Sequence, residues 1–432
     1  MNLGINIFLW ITYAVSLYFS VFILLIYLDK KDVFRKEEND SSEQDGKGHS
    51  LQKLPLVSVL VPAFNEEKTI IRTLESIHQL DYPKERLEVI VIDDGSKDKT
   101  KKMVGWYIQD KSQFKLISHQ NCGKAASLNK ALKIAKGEFF ACLDADSFVD
   151  RATLKKMLVQ YYSENDPKLA IITPAMKVYQ PKNLLQRLQW LEYIVIILIA
   201  RLSSQIDSLY VAPGPFSLYR TEIIRKLGGF DEKSITEDQE IAYRVQKEQY
   251  KIKQCPKGYV YTVAPEAIRP FYRQRRRWYL GSLDCVYKYR GLIANQKYGD
   301  FGMMQMIKNA LGYFLAITGM GLAVYIFILP LLERLKNLVL IKFNIWPYLL
   351  NLKLNLNFLS FLLIDFRKGV VIVFLGMVGI TLFYLAHKNA NEKMIKFGWI
   401  PLIPYAFFYY LLKGTILLLS LFEFARGKKI KW

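Results

Sequence analysis

Val89-Ile90-Val91-Ile92-Asp93-Asp94-Gly95-Ser96 decides the fold of this chain. Its four leading residues form an unbroken apolar run, the pattern of a strand covered on both faces of a parallel sheet. Working outward, Val57 to Val61 reads as a preceding strand, with a helix from Glu67 to Leu80 between the two. A helix from Asp98 to Gln109, a strand from Phe114 to Ser118, a helix from Gly123 to Ala135 and a strand from Phe139 to Leu143 follow. Strands alternating with helices predict an α/β, Rossmann-like domain, and ligands of such sheets bind beyond the carboxyl ends of the strands. Asp93-Asp94 and Asp144-Ala145-Asp146 stand at two such ends.

A 51% hydrophobic content beside 23% charged residues does not suit one homogeneous soluble domain. It suits a polar globular part joined to apolar segments. Residues 3–28 are long enough to cross a bilayer, which takes about 20 residues. They lack the basic leader and the cleavage pattern of a removed signal. The reading is therefore an anchor over residues 1–29, a polar linker over 30–54, an α/β domain over 55–281, an interfacial connector over 282–306 and an α-helical transmembrane tail over 307–432. Within the tail, Ala310 to Leu332, Val370 to Ala386 and Trp399 to Phe422 read as spans, and Trp346 to Ile364, which carries Lys353, as a fourth. Four spans would return the basic end, Arg426 to Lys431, to the cytoplasm, as the positive-inside rule requires. The expectation is a multi-pass protein of the cell membrane with its α/β domain in the cytoplasm. Leu184 to Leu202 is apolar but interrupted by Arg187, Gln189 and Glu192, and the reading favours an amphipathic helix on the membrane surface over a buried one.

The net charge of +21 lies largely beside apolar stretches, which points to membrane lipids. No recognisable nucleic-acid motif accompanies it, so nucleic acid is not an expected partner. Four cysteines without CxxC spacing predict neither a zinc framework nor disulfides.

Six short segments carry chemistry. Asp144 and Asp146 flank a single residue on extended chain, so both carboxylates face one way. A hard divalent cation holding a diphosphate needs such oxygen ligands, though the same pair also fits a surface turn. Asp93 or Asp94 can accept a hydrogen bond from a nucleotide base, and Gly95 permits the tight turn; the alternative is a loop cap with Ser96 or Asp98 capping the next helix, and both can hold at once. Pro62, Asn65 and Glu66 end the first strand at the neighbouring edge of that pocket. Lys124 opens a helix in Asn121-Cys122-Gly123-Lys124, a segment without the glycine spacing of an ATP loop, and suits a donor-site anion. Thr236-Glu237-Asp238 either caps a helix with acids in its first turn or supplies Asp238 as a general base. In Gln274-Arg275-Arg276-Arg277-Trp278, Arg277 can grip a departing diphosphate and Trp278 offers a flat face to a sugar ring. A basic anchor with tryptophan at the head groups is the alternative there.

These residues in this order resemble the processive family 2 glycosyltransferases of GT-A fold, which include the cellulose, chitin, hyaluronan and poly-N-acetylglucosamine synthases. The likeness runs from Val57 to about Gly281, and in order and compactness it is most similar to the bacterial poly-β-1,6-N-acetylglucosamine synthases. The resemblance implies that Asp93 or Asp94 contacts uridine, that Asp144 and Asp146 hold Mg or Mn, and that Asp238, beside Glu237, is the base. It implies that Gln274, Arg277 and Trp278 form the QxxRW element near diphosphate and acceptor. The implied activity is an inverting β-transfer from a UDP-sugar, with N-acetylglucosamine the expected sugar, to a growing polysaccharide, with translocation through the tail and room for a small accessory membrane subunit. The rivals are single addition to a lipid acceptor, in the manner of ceramide glucosyltransferases, and a non-catalytic export or scaffold protein. No gating motif of the cellulose-synthase kind follows Trp278, and the two prolines of Pro213-Gly214-Pro215-Phe216-Ser217 depart from the pattern expected along the acceptor path.

Overall fold

A computed structural model of the chain describes residues 3–34, 54–340 and 366–427. Most of the expected linker and the expected fourth span, Trp346 to Ile364, lie outside the described residues. An N-terminal helix α1 (Leu3–Asp29) precedes the α/β domain. That domain opens with β1 (Val57–Ala63), α2 (Ile70–His78), β2 (Leu87–Asp93), α3 (Thr100–Tyr107), β3 (Phe114–Ser118), α4 (Lys124–Ile134) and β4 (Phe139–Cys142). These four strands pair in parallel, β2 and β4 flanking β1 and β3 beyond β2.

Their continuous apolar character follows from two-sided burial. Val57, Val59, Val61, Val89 and Val91 pack with Ile70, Leu74 and Ile77 of α2 on one face. Leu60, Ile90 and Ile92 pack with Leu128, Ala131 and Leu132 of α4 on the other. Each such side chain, fully withdrawn from water, contributes about 1.5–3 kcal/mol.

Beyond β4 the sheet becomes mixed. It continues through β5 (Ser147–Val149), α5 (Thr153–Glu164), β6 (Leu169–Val178), α6 (Leu184–Gln205), β7 (Leu218–Arg220), α7 (Thr221–Lys226), α8 (Glu237–Lys247) and β8 (Lys251–Thr262). The full order is β3-β2-β1-β4-β7-β6-β8-β5 in one eight-stranded sheet. The strand β7 runs antiparallel to both β4 and β6, and β5 antiparallel to β8. Phe140 of β4 stacks on Tyr219 of β7 with ring centroids 4.8 Å apart, which fixes that junction.

Two expectations are corrected here. The helix α6 does not lie open on a surface: Trp190, Leu191, Ile194, Ile197 and Leu198 are buried, together with Glu192 and Arg201. Its Gln189 and Glu192 side chains meet protein partners, because α6 is held between the sheet and the tail helices. The boundary expected at residue 281 falls inside one continuous helix, α9 (Ile268–Lys288), since Gly281 sits at a helix contact and breaks nothing.

The tail contains α10 (Ile307–Ala323), α11 (Leu329–Leu340), α12 (Phe366–Asn389) and α13 (Leu402–Ala425). Among the described residues three helical stretches are long and apolar enough to cross a membrane: Asn6–Asp29, Gly369–Asn389 and Leu402–Ala425. The stretch from Ala310 to Leu332 is helical but passes through a π turn at Val324–Ile328. Ile26 of α1, Leu191 and Ile194 of α6 and Tyr405, Tyr409 and Ile416 of α13 share one apolar cluster, which joins the tail to the α/β domain.

Candidate active site

Strand β4 ends at Cys142, and Asp144 and Asp146 follow it in a turn closed by the Ser147 amide on the Asp144 carbonyl at 3.0 Å; Ala145 between them is buried and both aspartates are half-buried. The Thr73 hydroxyl of α2 donates to the carbonyls of Ala145 and Ser147, at 2.8 Å each, and so holds the turn. Burial and the adjacent Asp144 charge raise the pKa of Asp146. Burial, with Asp146 and Asp144 close by, also raises that of Glu66. Several carboxyls thus crowd one place, and all are oxygen donors of the class that hard divalent cations take.

Lys124 is the meeting point of three sequence segments. Its ammonium lies 2.6 Å from Asp144 and 2.7 Å from Glu237. Burial alone would lower its pKa, but Asp144, Glu237 and Asp238 outweigh that and hold it high. A cation is therefore already demanded where the Asp144 and Glu237 carboxylates converge. The structure brings Lys124 to the carboxylates, and its helix N-terminus is not a nucleotide-triphosphate loop.

Asp238 begins α8 behind Glu237. Thr236 makes no side-chain cap to this helix, and its buried hydroxyl lies against Cys285 of the later helix that carries the basic run. The capping alternative is thus not what Thr236 does. Burial and Glu237 push the Asp238 carboxyl up to about 6, against the opposing pull of Lys124 and then Arg277. A buried carboxyl titrating near neutrality, with a guanidinium close by, has the character of a general base.

The helix α9 supplies Gln274, Arg275, Arg276, Arg277 and Trp278. Three successive arginines go three ways. Arg275 pairs with the buried Glu192 of α6 at 2.5 Å, Arg276 with Glu423 of α13 at 2.6 Å, and Arg277 bears on Asp238. The amide oxygen of Gln274 is buried without a partner among the described residues. One face of Trp278 is taken, since the Arg275 guanidinium lies 4.2 Å from its ring centre.

Asp93 and Asp94 act first as loop organisers. Asp93 accepts from the Ser96 amide and the Ser118 hydroxyl, both at 3.1 Å. Asp94 accepts from the amides of Cys122 at 2.8 Å and Gly123 at 3.0 Å. Asn65 accepts from the Lys97 amide at 2.8 Å, and Pro62 lies in β1 beside Ile92 of β2. These residues line one edge of the sheet's carboxyl end, next to the carboxylate cluster.

Two glycines belong to the site without any signal in the sequence. A Cβ on Gly214 would lie 2.9 Å from the Lys124 ammonium and 3.0 Å from an Asp144 oxygen. The Pro213–Ser217 turn therefore lies directly against the carboxylates, and the Ala212 amide ties it to the Asp238 carbonyl at 3.2 Å. A Cβ on Gly281 would come within 2.3 Å of the Thr236 hydroxyl, so α9 rests on the start of α8.

Comparison with known proteins bears on the family and the fold. The family model for glycosyl transferase family 2 matches residues 58–228. That part of the chain is similar to the family 2 glycosyltransferases. The chain is 29% identical over 283 residues to a poly-β-1,6-N-acetyl-D-glucosamine synthase of Staphylococcus epidermidis, covering 65% of this chain and 66% of that protein. To the synthase of the same name from Staphylococcus aureus it is 30% identical over 248 residues, covering 55% of this chain and 59% of that protein. The match thus spans a little under two thirds of these relatives' own lengths. A solved mannosyltransferase of Pyrobaculum calidifontis, in complex with GDP-Man and Mn2+, superposes with a TM-score of 0.53 at 19% identity, over 88% of this chain and 99% of that one. The shared fold is GT-A, a mixed α/β sheet, here joined to three long apolar helices.

Proposed function

We propose that the protein is a membrane-bound, inverting β-glycosyltransferase that moves N-acetylglucosamine from a UDP-sugar to a growing polysaccharide. One observation carries the reading: Asp144, Glu237 and Asp238, distant in sequence, gather around Lys124 with the Arg277 charge alongside. The choice of sugar and of polymer over a single lipid acceptor leans on the likeness to the staphylococcal synthases. Asp144 and Asp146 would hold a Mg or Mn ion, which when bound neutralises charge on the donor diphosphate.

The chain's own residues perform the transfer. Asp238 takes the proton from the acceptor hydroxyl as its oxygen attacks the anomeric carbon of the sugar. The bond from that carbon to the diphosphate breaks on the opposite face, and the electron pair leaves with UDP. Arg277 and the Gln274 amide stabilise the charge that develops there. Asp93, Asp94, Pro62, Asn65 and Glu66 would line the uridine edge, and the open face of Trp278 the sugar edge. The three apolar helices support a membrane location with the catalytic domain on the cytoplasmic side.

The test uses purified protein in lipid with Mg or Mn and a panel of UDP-sugars, reading UDP release and product mass. Asp238→Asn should lower UDP release by about 10²-fold or more while UDP binding stays near wild type. Retained turnover in that variant would overturn the base assignment, and a single glycolipid product would overturn the polymer.

A further inference from the structure

Three side chains that the cysteine spacing leaves unconnected meet beside the end of β2. Asp94 follows β2, His119 follows β3, and Cys122 lies in the turn that enters α4. The His119 Nδ1 atom lies 3.3 Å from Asp94 Oδ1 and 3.6 Å from Cys122 Sγ. One donor atom from each residue falls within 4.8 Å of the other two. A tetrahedral zinc ion, with bonds of about 2.0–2.3 Å, sets neighbouring N and O ligands about 3.3 Å apart and N and S ligands about 3.6 Å apart. Two of the three edges already have those lengths. The third, between Asp94 and Cys122, lies within 4.8 Å, and Cys122 is exposed and leaves an entry path.

The surroundings hold these ligands in place. The Cys122 and Gly123 amides orient the Asp94 carboxylate, the outer support that metal ligands need. Gly95, at φ +75°, lets this loop approach the Asn121 amide so closely that a Cβ would lie 2.8 Å from it. A metal would displace two present contacts, His119 Nδ1 with the Gln120 carbonyl at 2.9 Å and the Lys130 ammonium with Cys122 Sγ at 3.4 Å.

We propose that Asp94, His119 and Cys122 bind a divalent cation of the zinc class, apart from the Asp144 and Asp146 carboxylates, with water in the fourth position. Sulfur and imidazole ligands select this class over Mg and Mn. The thiol proton passes to solvent as the metal–sulfur bond forms. Asp94 also belongs to the proposed uridine edge, so zinc should compete with UDP and slow sugar transfer; that consequence alone rests on the proposed transferase reading.

Cobalt is the probe. The full chain in detergent, with excess Mg present, is titrated with Co2+ while near-ultraviolet thiolate-to-cobalt absorption and visible bands are recorded. One equivalent should give the thiolate band, and Zn2+ should abolish it. Cys122→Ser should lose the band, and His119→Ala should weaken cobalt affinity about ten-fold or more. No band in the wild type, or the same band in Cys122→Ser, overturns the site. A band that appears while zinc leaves UDP release unchanged overturns only the link to transfer.

Discussion

At Asp238, burial and the Glu237 charge hold the carboxyl near pH 6, whereas Lys124 and Arg277 pull it down. A general base works only when deprotonated, so kcat/KM should fall as the pH drops through about 6. Lys124→Met removes the larger of the two downward pulls, and the acid limb should therefore move to higher pH. A pH–rate profile of both proteins checks the sign, and an unmoved limb would separate Lys124 from the base. Gly214→Ala probes the same cluster by volume. Its new Cβ would meet the ends of flexible side chains, Lys124 Nζ at 2.9 Å and Asp144 Oδ2 at 3.0 Å, and these can shift. The melting temperature should stay near wild type while turnover drops about ten-fold or more, because small displacements of reacting groups cost that much. The carboxylates were legible in the sequence because Asp144 and Asp146 sit where strand ends must lie. The Lys124 ion pairs and the Gly214 contact were not, since both are made across the sheet's carboxyl end by segments without shared spacing.

Among the elements, the strands from β1 to β4 and the helices between them follow the apolar pattern closely, because two-sided burial leaves little freedom in what each position can be. The antiparallel β7 and the buried α6 escaped that pattern for a physical reason. A three-residue strand has too few positions to show a period. In α6 the charged residues look like a polar face until their partners arrive from other helices. The basic run of α9 stands out in the sequence, but neither the helix that carries it nor its seat does. That seat is the contact of Gly281 with Thr236, where a Cβ would fall 2.3 Å from the hydroxyl, 2.4 Å from the methyl and 2.9 Å from the Cβ. Thr236 is buried and α9 is packed on its other side, so neither can step away cheaply. Gly281→Ala should cost about 1–3 kcal/mol by overpacking. It should also lift Gln274 and Arg277 away from Asp238, lowering turnover. Thr236→Ala removes two of the three clashing atoms, so the double variant should recover part of both losses; thermal unfolding and UDP release measure this. Purely additive losses would mean that the two helices do not meet there.

Across the whole molecule, helix α9 and the tail are joined through a buried carboxylate. Glu192 of α6 receives Arg275 of α9 at 2.5 Å and the Tyr409 hydroxyl of α13 at 2.7 Å, and it also pairs with Lys413 of α13. Burial alone would raise the Glu192 pKa, but Lys413 and Arg275 outweigh it and hold it low. The side chains of Glu192 and Arg275 are only 7% and 3% exposed, so neither charge can fall back on water. Removing the central partner is then worse than removing a peripheral one. Glu192→Ala strands Arg275 and Lys413 against each other and should cost about 3–5 kcal/mol. Lys413→Met leaves the Glu192–Arg275 pair intact and should cost distinctly less. Lys413→Arg keeps the charge and should melt close to wild type. Because Arg275 and Arg277 share α9, loosening Glu192 should also reduce turnover, although Glu192 touches none of the reacting groups. Detergent-solubilised variants, compared by thermal unfolding and by UDP release, give the ranking. Equal melting of Glu192→Ala and wild type would mean that the tail and the catalytic helix hold together by apolar packing alone, through the cluster shared by Leu191, Ile194, Tyr405 and Ile416.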